Sequence, residues 1–215
     1  MNFPSQGVYA ITDDILLQGN LLQSRVHAAL DAGIAVLQYR CKSKPWQARV
    51  AEATQMLKLC EHYSVPLLIN DDIDLCIEIG ANGVHLGQND TSIRNARTRL
   101  AANTIIGVTC HSNLPLAQKA RDEGASYVAL GRFFKSSTKP LAPPAKLNTL
   151  RLAKDALDIP IIAIGGINAE NGSKLIESGA DLLAVIHYIF AFPDVSTRVQ
   201  LLNSLFASPP AILHE

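Results

Sequence analysis

Short apolar runs recur along this 215-residue chain, and many of them stop at polar side chains. Ala35-Val36-Leu37 runs into Gln38, Arg40 and Lys42. Pro66-Leu67-Leu68-Ile69 ends at Asn70-Asp71-Asp72, and Gly83-Val84-His85-Leu86-Gly87 at Gln88 and Asp90. Tyr127 to Gly131 leads to Ser136-Ser137-Thr138-Lys139, and Ile161 to Ile164 ends at Gly165-Gly166. Candidate strands fall at about residues 7–12, 35–41, 66–70, 83–87, 104–110, 127–131, 161–165 and 181–187. Their Val, Ile and Leu content fits strands buried on both faces. Amphipathic stretches such as Leu21 to Ala32, Gln47 to His62 and Ser173 to Ser178 lie between them. Eight strands alternating with helices predict an α/β fold, a single-domain (β/α)8 TIM barrel, with chemistry at the C-terminal ends of the strands.

The bulk properties agree with one domain over residues 1–215, with 1–6 as an N-terminal extension and 208–215 as a loosely held tail. The chain is 48% hydrophobic, with 19 basic and 19 acidic side chains. Zero net charge without a basic stripe argues against nucleic acid as a partner, and leaves anionic small molecules open. Mean hydropathy is +0.14. No apolar run approaches bilayer length, and Met1 to Ser5 lacks a basic and apolar leader, so no membrane partner and a cytoplasmic location are expected. Oligomerisation stays open. The four cysteines form no Cys-x-x-Cys pair. Cys60 and Cys76 read as buried thiols, whereas Cys41 and Cys110 fall near strand ends.

Asp71 and Asp90 follow neighbouring candidate strands, and two hard oxygen donors at a barrel mouth suit magnesium. Asp72 and Asp74 read instead as caps of the following helix. Gln38, Arg40 and Lys42 share one parity, so all three face inward and require a ligand or partners. An Arg fork and a Lys point charge match phosphate oxygens. The long segment from Arg132 to Lys146 reads as an active-site loop, carrying Ser136, Thr138 and Lys139. Gly165-Gly166 beside the eighth strand offers backbone N–H groups to a second phosphate. His85 reads as a packed neutral histidine, and His187 is placed to touch a ligand. Together these features predict a magnesium-diphosphate site beside a phosphate site.

The ordered set Gln38-x-Arg40-x-Lys42, Asn70-Asp71-Asp72, Gly87-Gln88-x-Asp90, Gly107-Val108-Thr109-x-His111, Thr138-Lys139 and Ile164-Gly165-Gly166-Ile167 resembles the thiamine phosphate synthase family. The resemblance runs from Tyr9-Ala10-Ile11-Thr12 to His187. It implies a transferase that joins a hydroxymethylpyrimidine diphosphate to a thiazole phosphate, or to its carboxylated form, and releases diphosphate. It implies that Gln38, Tyr39, Arg40, Cys41, Lys42, Asn70, Thr109 and Lys139 bind the pyrimidine diphosphate, with Arg40 and Lys139 catalytic. It assigns Mg2+ to Asp71 and Asp90. The thiazole phosphate falls to Ser136, Ser137, Thr138, Gly166, Ile186 and His187. Against the commonest pattern, Cys41 stands for an acidic residue, Thr109 for serine, Ser136 for threonine and His187 for serine. A thiazole tautomerase of the same fold family is an alternative, although there a histidine follows the sixth-strand glycine, and here that position is Arg132. A regulatory, non-catalytic phosphate-binding barrel would need neither Asp71 nor Asp90.

Overall fold

The computed structural model describes residues 3–135 and 143–207. Eight strands form a closed parallel barrel in sequence order: β1 (Gly7–Ile11), β2 (Val36–Tyr39), β3 (Leu67–Asn70), β4 (Gly83–Leu86), β5 (Ile105–His111), β6 (Tyr127–Gly131), β7 (Ile161–Ile164) and β8 (Leu182–Val185). The ring closes where β1 pairs with β8, with Tyr9 opposite Ala184. Around it lie α1 (Leu21–Asp31), α2 (Trp46–His62), α3 (Ile73–Ile79), α4 (Ile93–Arg99), α5 (Leu114–Asp122), α6 (Leu147–Ala156) and α7 (Ser173–Glu177). The short α8 (His187–Phe190) and the longer α9 (Val195–Ala207) follow β8. The strands sit where the apolar runs predict them. Six are shorter than expected, most clearly β2, which stops at Tyr39, and β8, which stops at Val185 because the chain turns directly into α8.

Strand alternation splits the apolar residues into two cores. Tyr9, Ile11, Val36, Leu68, Ile105, Tyr127, Ala129, Ile162, Leu182 and Ala184 fill the barrel interior. Their neighbours, including Val8, Ala10, Leu37, Tyr39, Leu67, Ile69 and Val128, pack outward against the helices. The barrel is therefore a packed body below its mouth, as a TIM barrel requires. Tyr127 crosses the interior, and Gly107 makes that possible: a Cβ at Gly107 would stand 1.9 Å from Tyr127 Cζ. Phe3 stacks on Tyr127 with ring centroids 4.4 Å apart, so the N-terminal extension contributes to this packing.

Local capping explains how the first turn of α3 is fixed. Asp72 accepts from the Leu75 N–H at 2.9 Å and so caps α3, and its other oxygen meets Arg49 at 2.6 Å. Asp74 lies in the first turn of α3 and pairs with Arg99. Among the described residues, no helix is long and apolar enough to cross a membrane.

Candidate active site

A cavity of about 790 Å³ opens at the C-terminal end of the barrel. Its floor is a polar chain across the interior. Gln38 Nε2 donates to Tyr9 Oη at 2.7 Å, and the Tyr9 and Tyr127 hydroxyls lie 2.7 Å apart. The Tyr127 hydroxyl meets His85 Nδ1 at 2.8 Å, and His85 Nε2 meets Thr109 Oγ1 at 2.8 Å. Each phenol hydroxyl in this chain has hydrogen-bond partners on both sides. The two ring nitrogens of His85 thus join the buried phenols to the Thr109 hydroxyl. Burial pushes both phenols above their ordinary range, so they stay protonated.

The wall nearest β2, β3 and β4 carries charge. Asp71 adopts a left-handed backbone at φ 60°, a conformation that aspartate tolerates better than most residues. Its N–H extends the ladder to the His85 carbonyl at 2.8 Å. The turn aims the Asp71 carboxylate into the cavity while Asp72 points away to its helix. Asp71 Oδ2 is held by Asn70 Nδ2 at 2.7 Å and by the Lys42 ammonium. Asp90 Oδ2 accepts from the Gly87 N–H at 2.7 Å. The two carboxyl groups lie close enough to shift each other's ionisation. Burial works to raise the Asp71 carboxyl, but its hydrogen bonds and the Lys42 charge outweigh that and hold it below the usual range. Burial and the neighbouring Asp71 raise Asp90. Two carboxylates in contact are costly unless a proton or a cation stands between them.

Arg40 is anchored from β1. Thr12 Oγ1 accepts the Arg40 N–H at 2.8 Å and donates to the Arg40 carbonyl at 3.2 Å. Asp13 lies 3.6 Å from the guanidinium. Asp14 Oδ2 accepts the N–H groups of Lys42 at 3.0 Å and Ser43 at 2.8 Å, which fixes the loop that carries both cations. Opposite, Gly165 and Gly166 hold φ of 107° and 65° after β7. A Cβ at Gly166 would meet the Lys135 carbonyl at 2.3 Å, so glycine there also lets the loop after β6 pack onto the loop after β7. Ile186 and His187 complete that side.

With this geometry in view, the relatives are informative. A family model described as thiamine monophosphate synthase matches residues 8–189. The chain belongs to the thiamine monophosphate synthase family. It is 46% identical over 207 residues to a thiamine-phosphate synthase of Methylococcus capsulatus, covering 96% of this chain and 92% of that protein. It is 48% identical over 203 residues to one of Marinobacter nauticus, covering 94% and 91%. Its fold superposes on a thiamine phosphate pyrophosphorylase from Pyrococcus furiosus with a TM-score of 0.85 at 29% identity, covering 94% of this chain and 96% of that one. The protein is thus an enzyme, a transferase of the thiamine monophosphate synthase family.

The structure gathers many of the residues expected from the sequence at one place. Gln38, Arg40, Lys42, Asn70, Asp71, Asp90, Thr109, Gly166, Ile186 and His187 all line one cavity. Tyr39 and Cys41 do not. Tyr39, on β2, has the opposite parity to Gln38 and its hydroxyl bonds Glu52 at 2.8 Å, while Cys41, just past the strand, turns toward Asp14. Contact between these two residues and a ligand in the cavity would have to use their backbone. Cys110 is buried outside the barrel interior; burial pushes its thiol, like those of Cys60 and Cys76, up to about 12. Ser136, Ser137, Thr138 and Lys139 lie outside the described residues. Sequence reading missed Tyr188, Phe192 and Arg198, which also line the cavity. They fall beyond the eighth strand, where no strand-end pattern marks them.

Proposed function

We propose that the protein condenses 4-amino-2-methyl-5-(diphosphooxymethyl)pyrimidine with 4-methyl-5-(2-phosphooxyethyl)thiazole, giving thiamine phosphate and diphosphate. The observation that carries this reading is the Asp71–Asp90 pair beside Arg40 and Lys42 in a cavity whose far side is lined by Gly165 and Gly166. Family membership supports the same reading.

The pair fits Mg2+. Magnesium takes one or two carboxylates and completes its shell with water and phosphate oxygens. No larger group of His, Cys, Asp and Glu converges among the described residues, which suits an open site that a substrate diphosphate finishes. When bound there, magnesium would supply positive charge against the developing negative charge of the leaving diphosphate.

The chain's own residues do the rest. Arg40, and Lys139 by resemblance, neutralise the diphosphate as the methylene C–O bond breaks and its electron pair leaves with oxygen. The aminopyrimidine spreads the positive charge of the methylene. The thiazole nitrogen then donates its lone pair to form the new C–N bond. No protein nucleophile is needed; catalysis rests on positioning and on preorganised charge. Thr109 and Gln38 orient the pyrimidine from the floor, and the backbone N–H groups at Gly166, Ile186 and His187 receive the thiazole phosphate.

A diphosphate-release assay with both substrates tests the reading. Stoichiometric thiamine phosphate and diphosphate, dependent on added magnesium, are expected. Full activity in chelator would reject the metal assignment, and absence of thiamine phosphate would reject the reaction.

A further inference from the structure

Arg198 reaches the cavity from α9, outside the barrel strands. Its guanidinium carbon lies 3.8 Å from the ring centroid of Phe192 and 4.8 Å from that of Tyr188. Nε donates to Asp194 Oδ1 at 2.8 Å, and Nη1 reaches the Tyr188 carbonyl at 3.5 Å. Nη2 has no hydrogen-bond partner among the described residues. The side chain is only 20% exposed, yet it lines the same cavity as Gly166, Ile186 and His187. Among the described cavity-lining cations, Arg40 and Lys42 follow β2, Arg132 and Lys135 follow β6, and Arg198 is the one beside β8.

Building on the function proposed above, we propose that Arg198 is a specificity-determining residue that binds the phosphate of the thiazole substrate. Backbone N–H groups carry only partial charge, whereas a phosphate monoester is close to doubly ionised at neutral pH. A planar guanidinium presents paired donors to phosphate oxygens. Two aromatic rings hold this one in place and exclude water from it, which strengthens its attraction for an anion. Asp194 and the Tyr188 carbonyl fix its direction while Nη2 remains for the ligand. The alternative role is a purely structural tie between α9 and the end of β8.

Steady-state kinetics on the full-length enzyme with magnesium separates the two roles. Arg198→Gln is expected to raise KM for the thiazole phosphate about 10- to 100-fold, the usual effect of losing a hydrogen bond to a charged group. KM for the pyrimidine diphosphate stays at its wild-type value. The thiazole alcohol, which lacks the phosphate, is used equally well by both proteins. Arg198→Lys keeps the charge without the fork and raises KM less than Arg198→Gln. A rise in both substrates' KM, or an equal loss with and without the phosphate, overturns the assignment in favour of the structural tie. A wild-type enzyme that forms thiamine phosphate while Arg198→Gln leaves every KM unchanged overturns the Arg198 assignment alone. A wild-type enzyme that forms none overturns the functional reading and this proposal together.

Discussion

His85 Nε2 lies 2.8 Å from the Thr109 hydroxyl, and the opposite ring nitrogen lies 2.8 Å from Tyr127 Oη. One imidazole thereby connects the buried floor of the barrel to a side chain in the cavity. Tyr127→Phe deletes the hydroxyl that both Tyr9 and His85 use. Buried polar groups left without a partner cost about 1–3 kcal/mol, so the variant should be less stable by that amount in urea titration. A midpoint equal to wild type would mean that water replaces the lost hydroxyl.

Asp71→Asn and Asp90→Asn each remove one carboxylate from the interacting pair. Asparagine tolerates the left-handed backbone at Asp71, so the fold survives the change. Losing one well-placed electrostatic stabiliser typically costs about 100- to 1000-fold in rate. Turnover should fall by that factor in both variants. The melting temperature of Asp90→Asn should match or exceed wild type, because a like-charge contact disappears. Retained turnover in either variant would remove that residue from the metal site.

Asp14 tests the loop that carries Arg40 and Lys42. Burial alone would raise its carboxyl, but hydrogen bonds from the Ser43 side chain and from the N–H groups of Lys42 and Ser43 lower it to about 2. A depressed folded-state value contributes stability above the unfolded value, and that contribution is lost as pH falls through the folded one. The melting-temperature gap between wild type and Asp14→Asn should be constant above about pH 5 and narrow from about pH 4 down to pH 2. Thermal scans at fixed ionic strength measure it; a gap independent of pH would show that the Asp14 charge contributes nothing to the loop.

Gly107→Ala tests the packing beneath the site. The added Cβ would lie 1.9 Å from Tyr127 Cζ, against a ring already pinned by Phe3 on one side and hydrogen-bonded at its hydroxyl. Overpacking of a well-filled core costs about 1–3 kcal/mol and sometimes more. Chemical denaturation should report at least that loss, and an unchanged midpoint would mean that the ring moves aside freely.

Sequence alone determined the architecture because buried parallel strands leave a strong mark: apolar runs at repeated spacing, each ending in residues that a core would not hold. It also determined the site's outline, since parity on one strand places Gln38, Arg40 and Lys42 together, and strand ends place Asp71 and Asp90. Parity likewise separates Tyr39 and Cys41 from the cavity, although the motif they sit in argued for including them. Tertiary structure alone decided the contacts between distant segments. Tyr9, His85 and Tyr127 read as ordinary core residues until barrel closure brings them within hydrogen-bonding distance. The sequence separates Asp71 from the helix cap Asp72, but the left-handed turn at Asp71 that achieves this is seen only in the structure. Arg198 lies on a helix that follows the last strand, and only the packing of α9 beside α8 brings its charge to the cavity. Local patterns encode which face of an element is buried; which elements meet is set by closure of the whole barrel.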